Sequence, residues 1–336
     1  MGLAGFGRLR EVVTLVAAFL ALAGAPAGVA QGVSLEELIS GVVRIKAFIN
    51  PEGRSVRNLG REREGSGVVI DSAGLVVTIG YLMVEAHAVE VQSNDGRTVP
   101  AEVVGYDHAS GFGLVRTLAP LKVRPLALGK SEDLKERTPL LIASYGGVSR
   151  VLPVELIAKR EYAGSWEYLL DQAIFTAPAH PAWSGAALIN SRGELVGIGS
   201  LILGDVSGKG DGVAGNMFVP IELLPPILGD LISLGRVSGP VRPWLGLTTE
   251  EARGRVVVSR VVPGGPAEKA GMRRGDVIVG VAGAEPKTLA DFYRKVWAVG
   301  EAGVTVPLDV RHGGETRRVE IKSMDRLDHL RLKSSF

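Results

Sequence analysis

The stretch VVIDSAGLVVTI, residues 68–79, places a β-branched run, a turn holding Asp71, Ser72 and Gly74, and a second β-branched run in succession. That order marks an antiparallel hairpin, because Val and Ile suit a pleated surface and glycine supplies the turn. The pattern recurs in VEVQSNDGRTVPAEVVG at 89–105 and in ALINSRGELVGIGS at 187–200. Parallel strands would need helical crossovers of roughly ten or more residues between the runs, and none is visible there. The sequence therefore predicts a mainly β architecture, a sandwich or a barrel.

Length and composition bound the rest. With 336 residues and 46% hydrophobic content, the chain can bury a sizeable core and is long enough for two or three domains. Lys+Arg 38 against Asp+Glu 36 gives a net charge of +2, so no global field recruits nucleic acid. The basic run RSVRNLGRER at 54–63 alternates with acids and glycine and reads as a solvated loop. At the N-terminus, Arg8 and Arg10 precede VVTLVAAFLALAGA, which is too short to favour a spanning helix. Residues 1–30 read as a signal peptide cleaved after Ala30, with Ala27 a rival, implying a periplasmic or secreted protein. An uncleaved inner-membrane anchor is the alternative. Zero cysteines exclude disulfides, a thiol nucleophile and a thiolate metal site. Histidine spacing supports no metal site either, and no cofactor is expected.

Ser34 with Glu37 forms a capping-box pattern that opens a short helix, SLEELISGVV. After Pro220, IELLPPILGDLISLG is an amphipathic stretch broken by Pro225 and Pro226, and GRVSGPVRP reads as a linker. A compact second domain follows, with strands around a short helix AEKAGM closed by Gly271, then a helix over TLADFYRKVWAVG and a final hairpin.

Within HPAWSGAALIN, residues 180–190, Ser184 raises the question of a nucleophile. A hydrolase elbow would set it between glycines on a strand-to-helix turn, whereas Ala182 and Ala186 flank it here and a strand follows. The segments GSGVVIDSAGLVVT (65–78), GFGLV (111–115), PAWSGAAL (181–188), AGNMFVP (214–220) and GPAEKAGMRRGDVI (265–278) together resemble the HtrA (Do-like, Deg) family of exported serine proteases. The resemblance implies a trypsin-like double antiparallel β-barrel at 34–225, a linker at 226–241, a PDZ domain of α+β type at 242–324 and a tail at 325–336. It also implies a homotrimer, the common state of active members.

The resemblance places the nucleophile on Ser184, the histidine position on Tyr81, the aspartate position on Gly111 and an oxyanion-hole position on Ala182. A phenol with an ordinary pKa near 10 is a poor base at neutral pH, and glycine orients nothing. Alanine resists the positive φ that glycine allows, and Trp183 adds bulk at the mouth. His87, which on a helix would face away from the serine, His108 and His180 are the histidines that could substitute, and each reads as a solvated loop residue. Ser184 itself can be a turn former rather than a nucleophile. The expectation is a pseudoprotease. An active endopeptidase of periplasmic quality control, using Ser184 with a substitute base, is the other reading.

In the PDZ-like part the resemblance implies that an extended peptide adds as a strand while a loop's amides hold its terminal carboxylate. Trp244, Leu245, Gly246 and Leu247 supply that loop, and VVVSRVV at 256–262 supplies the pairing strand. Phe292 and Val296, spaced i and i+4, either form a groove wall or fill the core. The expected partners are polypeptides with apolar C-termini or unfolded proteins.

Overall fold

The computed structural model describes residues 33–330 and residue 332, so the expected leader at 1–30 lies outside the described residues. Six strands close the first barrel: β1 (Val42–Ile49), β2 (Glu62–Val69), β3 (Leu75–Ile79), β4 (Ala86–Gln92), β5 (Thr98–Tyr106) and β6 (Phe112–Thr117), in the order β1-β2-β3-β6-β5-β4. A second barrel closes from β7 (Pro139–Ala143), β8 (Val151–Gly164), β9 (Tyr168–Ala177), β10 (Ala187–Ile189), β11 (Leu195–Leu203) and β12 (Gly215–Pro220), in the order β10-β11-β12-β9-β8-β7.

Alternation builds the first barrel. Val43, Ile45, Ala47 and Ile49 of β1 point inward and pack with Val69, Val76, Val91 and Val115, so one face of each strand is removed from water. In the 68–79 hairpin, Asp71 Oδ1 accepts from Leu75 N–H at 2.8 Å. Gly74 takes φ +80, and a Cβ there would lie 2.1 Å from Thr117 Oγ1, so both conformation and space demand glycine. The second barrel packs Leu140, Ile142, Leu156, Ile174, Leu188 and Phe218. Truncating a buried leucine such as Leu188 to alanine costs about 2–5 kcal/mol.

The chain divides into two compact units. Among the described residues, the first holds those up to Pro51, Ser55–Arg160 and Gln172–Val237; the second holds Glu52–Arg54, Glu161–Asp171 and those from Ser238 onward. The stretch expected as a broken linker contains a helix, Pro225–Leu234, that belongs to the first unit. Prolines at its first two positions lack N–H groups that would have no helical partner anyway, so they start the helix instead of breaking it. Gly235 ends it at φ +72. Among the described residues no helix is long and apolar enough to cross a membrane.

The second unit carries a five-stranded antiparallel sheet in the order β13-β14-β15-β16-β17, from β13 (Leu247–Ala252), β14 (Arg255–Val261), β15 (Val277–Val281), β16 (Thr305–His312) and β17 (Glu315–Lys322). The helices Pro266–Lys269 and Leu289–Ala298 complete it, the latter capped by Thr288, whose side chain accepts from Asp291 N–H. One sequence expectation changes here. VVVSRVV lies in β14, which is paired on both sides by β13 and β15. The edge strand of the sheet, directly after residues 244–246, is β13.

Candidate functional site

Tyr81 sits in a 3₁₀ turn, Gly80–Leu82, directly after β3. Ser184 lies in the turn that leads into β10, where Ala186 N–H donates to Trp183 O at 3.0 Å. The two side chains meet in a cleft of about 700 Å³ lined by Arg63, Tyr145, Arg150 and Trp183 as well. Close backbone approach fixes the serine: Ser66 N–H donates to Ser184 O at 2.8 Å. Gly185 has φ +72, and a Cβ there would fall 1.9 Å from Ser66 O, so glycine is the residue this approach admits.

Tyr81 Oη stands 2.9 Å from Ser184 Oγ and 2.9 Å from the Ser200 carbonyl oxygen. One phenol has one proton, and a carbonyl only accepts. When Tyr81 serves Ser200, its contact with Ser184 is one in which the serine hydroxyl donates to a neutral phenol. When Tyr81 donates to Ser184, the serine oxygen is held as an acceptor. Neither arrangement removes the serine proton. Burial pushes the Tyr81 pKa up to about 12, against the opposing pull of the Ser184 hydrogen bond. At pH 7 roughly one molecule in 10⁵ then carries the phenolate that could act as a base.

Gly111, expected from the sequence at an aspartate position, does not repair this. Gly111 has φ +87 in the turn before β6, and its carbonyl accepts from Gly80 N–H at 2.7 Å. It therefore helps position the Tyr81 turn through its backbone, with no side chain to orient a base. At Ala182 the N–H donates to His180 Nδ1 at 3.0 Å. The same ring's Nε2 donates to Arg150 O at 3.2 Å, which assigns the neutral tautomer protonated at Nε2. His180 is 4% exposed, and desolvation lowers its pKa. It is thus a buried structural histidine, contrary to the outward-facing loop residue the sequence implied, because both ring nitrogens answer backbone groups. Its occupation of the Ala182 amide turns that donor to an internal partner.

The remaining histidines lie elsewhere. His87 is exposed, on β4. His108 Nδ1 pairs with Tyr106 Oη at 3.0 Å. Arg63, part of the run read as a solvated loop, is instead 5% exposed. Its guanidinium donates to Tyr81 O at 2.8 Å, Val84 O at 3.1 Å and Ser55 Oγ at 2.7 Å, tying down the turn that carries Tyr81. Burial lowers its pKa to about 10, opposed by the Glu85 charge. Nothing in the alternating run marked this arginine as the inward one except the period of β2.

In the second unit, the amides of Leu245, Gly246 and Leu247 converge on one point, with Gly246 at φ +78. What they hold is the carboxylate of Glu167: Leu245 N–H donates to Oε2 at 2.9 Å, and Gly246 and Leu247 N–H each donate to Oε1 at 2.8 Å. Trp244 precedes the loop and pairs its backbone with Met324. Phe292 and Val296 are 1% and 2% exposed in the core cluster that also takes Leu169. Glu167 went unsuspected in the sequence, where its one signal is an acid between Trp166 and the apolar run Tyr168–Leu169–Leu170.

Two domain families match the chain: the trypsin-like peptidase domain over residues 65–198 and the PDZ domain over 243–323. Among curated relatives, HhoA of Synechocystis sp. is 29% identical over 290 residues, covering 78% of this chain and 71% of its own length. The periplasmic pH-dependent serine endoprotease DegQ of Escherichia coli is 28% identical over 273 residues, covering 76% of this chain and 58% of its own length. Among solved structures, the HtrA-type protease AlgW with a decapeptide shares the fold with a TM-score of 0.52 at 21% identity, over 90% of this chain and 100% of that one.

Proposed function

The chain belongs to the HtrA family of trypsin-like proteins that carry a PDZ domain, and we propose that it is a noncatalytic member, a pseudoprotease of the bacterial envelope that holds polypeptides instead of cutting them. The observation that carries this reading is the pairing of Ser184 Oγ with the phenol of Tyr81. A serine hydroxyl becomes a useful nucleophile when a neighbouring base takes its proton as attack proceeds. A phenol ionising near 12 does not do so at neutral pH. Loss of one triad member in a comparable hydrolase lowers turnover by about 10⁴ to 10⁶. The His180 contact with the Ala182 amide adds to that loss, since one missing oxyanion donor alone costs on the order of 10² to 10³.

Binding has different requirements. Three convergent backbone amides recognise a carboxylate whatever side chains surround them, and β13, as the edge strand of its sheet, is where an added strand would pair. This supports capture of polypeptide C-termini at residues 244–247. An envelope location fits relatives whose names describe them as periplasmic.

The deciding experiment is covalent labelling with a fluorophosphonate probe, run beside an active HtrA protease. The expected result is no labelling of the wild type beyond that of Ser184→Ala. Rapid stoichiometric labelling that Ser184→Ala abolishes would establish an active serine and refute the reading.

A further inference from the structure

The carboxylate loop is filled by its own chain. Residues 161–171, made of the end of β8, the turn 165–167 and the start of β9, form a hairpin tip that belongs to the second unit. Both oxygens of the Glu167 carboxylate are engaged by the amides of Leu245, Gly246 and Leu247, and the residue is 5% exposed. A buried carboxylate costs stability unless such donors meet it, so these bonds are what allow it to sit there.

The main chain of the tip follows the same logic. Ser165 O accepts from Thr249 N–H at 2.8 Å, a ladder-like bond to β13, the edge strand of the sheet. Gly164 O accepts from Tyr293 Oη at 2.7 Å, and Glu167 N–H donates to the same hydroxyl at 3.3 Å. Leu169 packs into the core cluster that contains Phe292 and Val296. Carboxylate in the loop, backbone on the edge strand and an apolar side chain by the helix are the three elements by which a peptide adds to such a sheet. Here one tip supplies all three.

We propose that Glu167 is an internal ligand that occupies the carboxylate loop in place of a polypeptide C-terminus, so that a partner binds only when residues 165–167 are displaced. The proposal rests on the reading of residues 244–247 as a polypeptide-binding loop. Exchange is chemically even-handed, because an incoming carboxylate restores the three hydrogen bonds that the departing one gives up. Release also frees Glu167 from its left-handed backbone conformation, φ +59, which residues with a Cβ adopt at a cost. The partner fitted by this chemistry is an extended polypeptide with a free α-carboxylate and an apolar terminal side chain.

Two measurements on the full-length protein test this. The first titrates a fluorescent ten-residue peptide with a C-terminal valine, as free acid and as carboxamide, into wild type and Glu167→Ala. Apparent affinity scales with the fraction of open sites, so Glu167→Ala is expected to bind the acid about tenfold or more tightly than wild type, and the amide weakly. Equal acid affinity in both proteins, with the amide weak, would overturn the internal ligand while leaving the loop as a binding site. No preference for acid over amide in either protein would overturn the loop reading, and the internal-ligand proposal with it. The second measurement uses wild type alone, in case the variant folds poorly. Cleavage of the Glu167–Tyr168 bond by a glutamate-specific protease is followed by mass spectrometry as peptide is added. Acceleration by the acid peptide but not the amide is the expected result. Bound acid peptide without added cleavage would overturn displacement.

Discussion

If Tyr81 and Gly111 stand at the histidine and aspartate positions, changing Tyr81 to His and Gly111 to Asp puts back a base and its orienting carboxylate, and the His180–Ala182 contact limits how far that should go. At position 111 the backbone sits at φ +87, so the aspartate adopts a left-handed conformation at a cost of about 1–2 kcal/mol in stability. The imidazole at 81 would also lose the phenol's bond to the Ser200 carbonyl. More important, the Ala182 N–H still donates to His180 Nδ1, so one oxyanion donor stays turned to an internal partner. A single missing donor corresponds to about 2.7–4 kcal/mol of transition-state stabilisation. The double variant should therefore hydrolyse fluorescently labelled casein about 10² to 10³-fold more slowly than an active HtrA protease assayed beside it. Adding His180→Leu with Ala182→Gly removes the internal acceptor and relaxes the backbone, and should raise turnover by about tenfold or more. If the double variant alone matched the active protease, the argument from the Ala182 amide would be wrong.

The stability role of Tyr81 and the charge state of Glu167 give two further expectations. Tyr81→Phe leaves the Ser200 carbonyl without its phenol donor and should lower stability by about 1–3 kcal/mol in urea unfolding, with fluorophosphonate reactivity unchanged; a gain of reactivity would mean that the phenol restrains a competent serine. Burial raises the Glu167 pKa from 4.5 to about 7, against the pull of the three loop amides and Arg326, so the folded state binds this proton more tightly than the unfolded one. Its contribution is fully present below about pH 4.5 and is lost as pH rises through 7, by up to about 3 kcal/mol. Protection of the 245–247 amides from hydrogen exchange, compared between wild type and Glu167→Gln, should fall from pH 5 to pH 8 in wild type relative to the variant. A relative rise would contradict the sign.

Hairpins such as 68–79 were legible because period-two alternation and Gly74 state their geometry locally. The segment 265–278 was legible for a similar reason, since its glycines and short helix are consecutive in the chain. Other features were not. Pro225 and Pro226 read as breakers, although at the first turn of a helix a proline loses nothing. His180 read as solvated because its partners, Arg150 O and Ala182 N–H, are set by folding of the second barrel. Glu167 is 78 residues from Leu245, and no local pattern connects an acid in a hairpin tip to a row of backbone amides that far along the chain. What failed was long-range polar satisfaction, which depends on register between distant segments.

The same kind of satisfaction explains why the two candidate sites should differ in what they can still do. An active site keeps its oxyanion donors aimed at charge that develops only in the transition state, and that preorganisation is held at the expense of stability. Here the groups are already answered: Ser184 by Tyr81, the Ala182 amide by His180, and the amides of 245–247 by Glu167. The first two partners are poor matches for what catalysis would bring. A developing oxyanion would have to displace a buried imidazole that also holds Arg150 O, and an attacking serine would still lack a base. The third partner is a good match, because a carboxylate replaces a carboxylate and no amide is left unpaired afterwards. A site answered by a copy of its own ligand's chemistry is suppressed but intact, whereas one answered by different chemistry is closed. On the internal-ligand proposal, exchange at the loop is therefore the step by which this fold responds to a polypeptide.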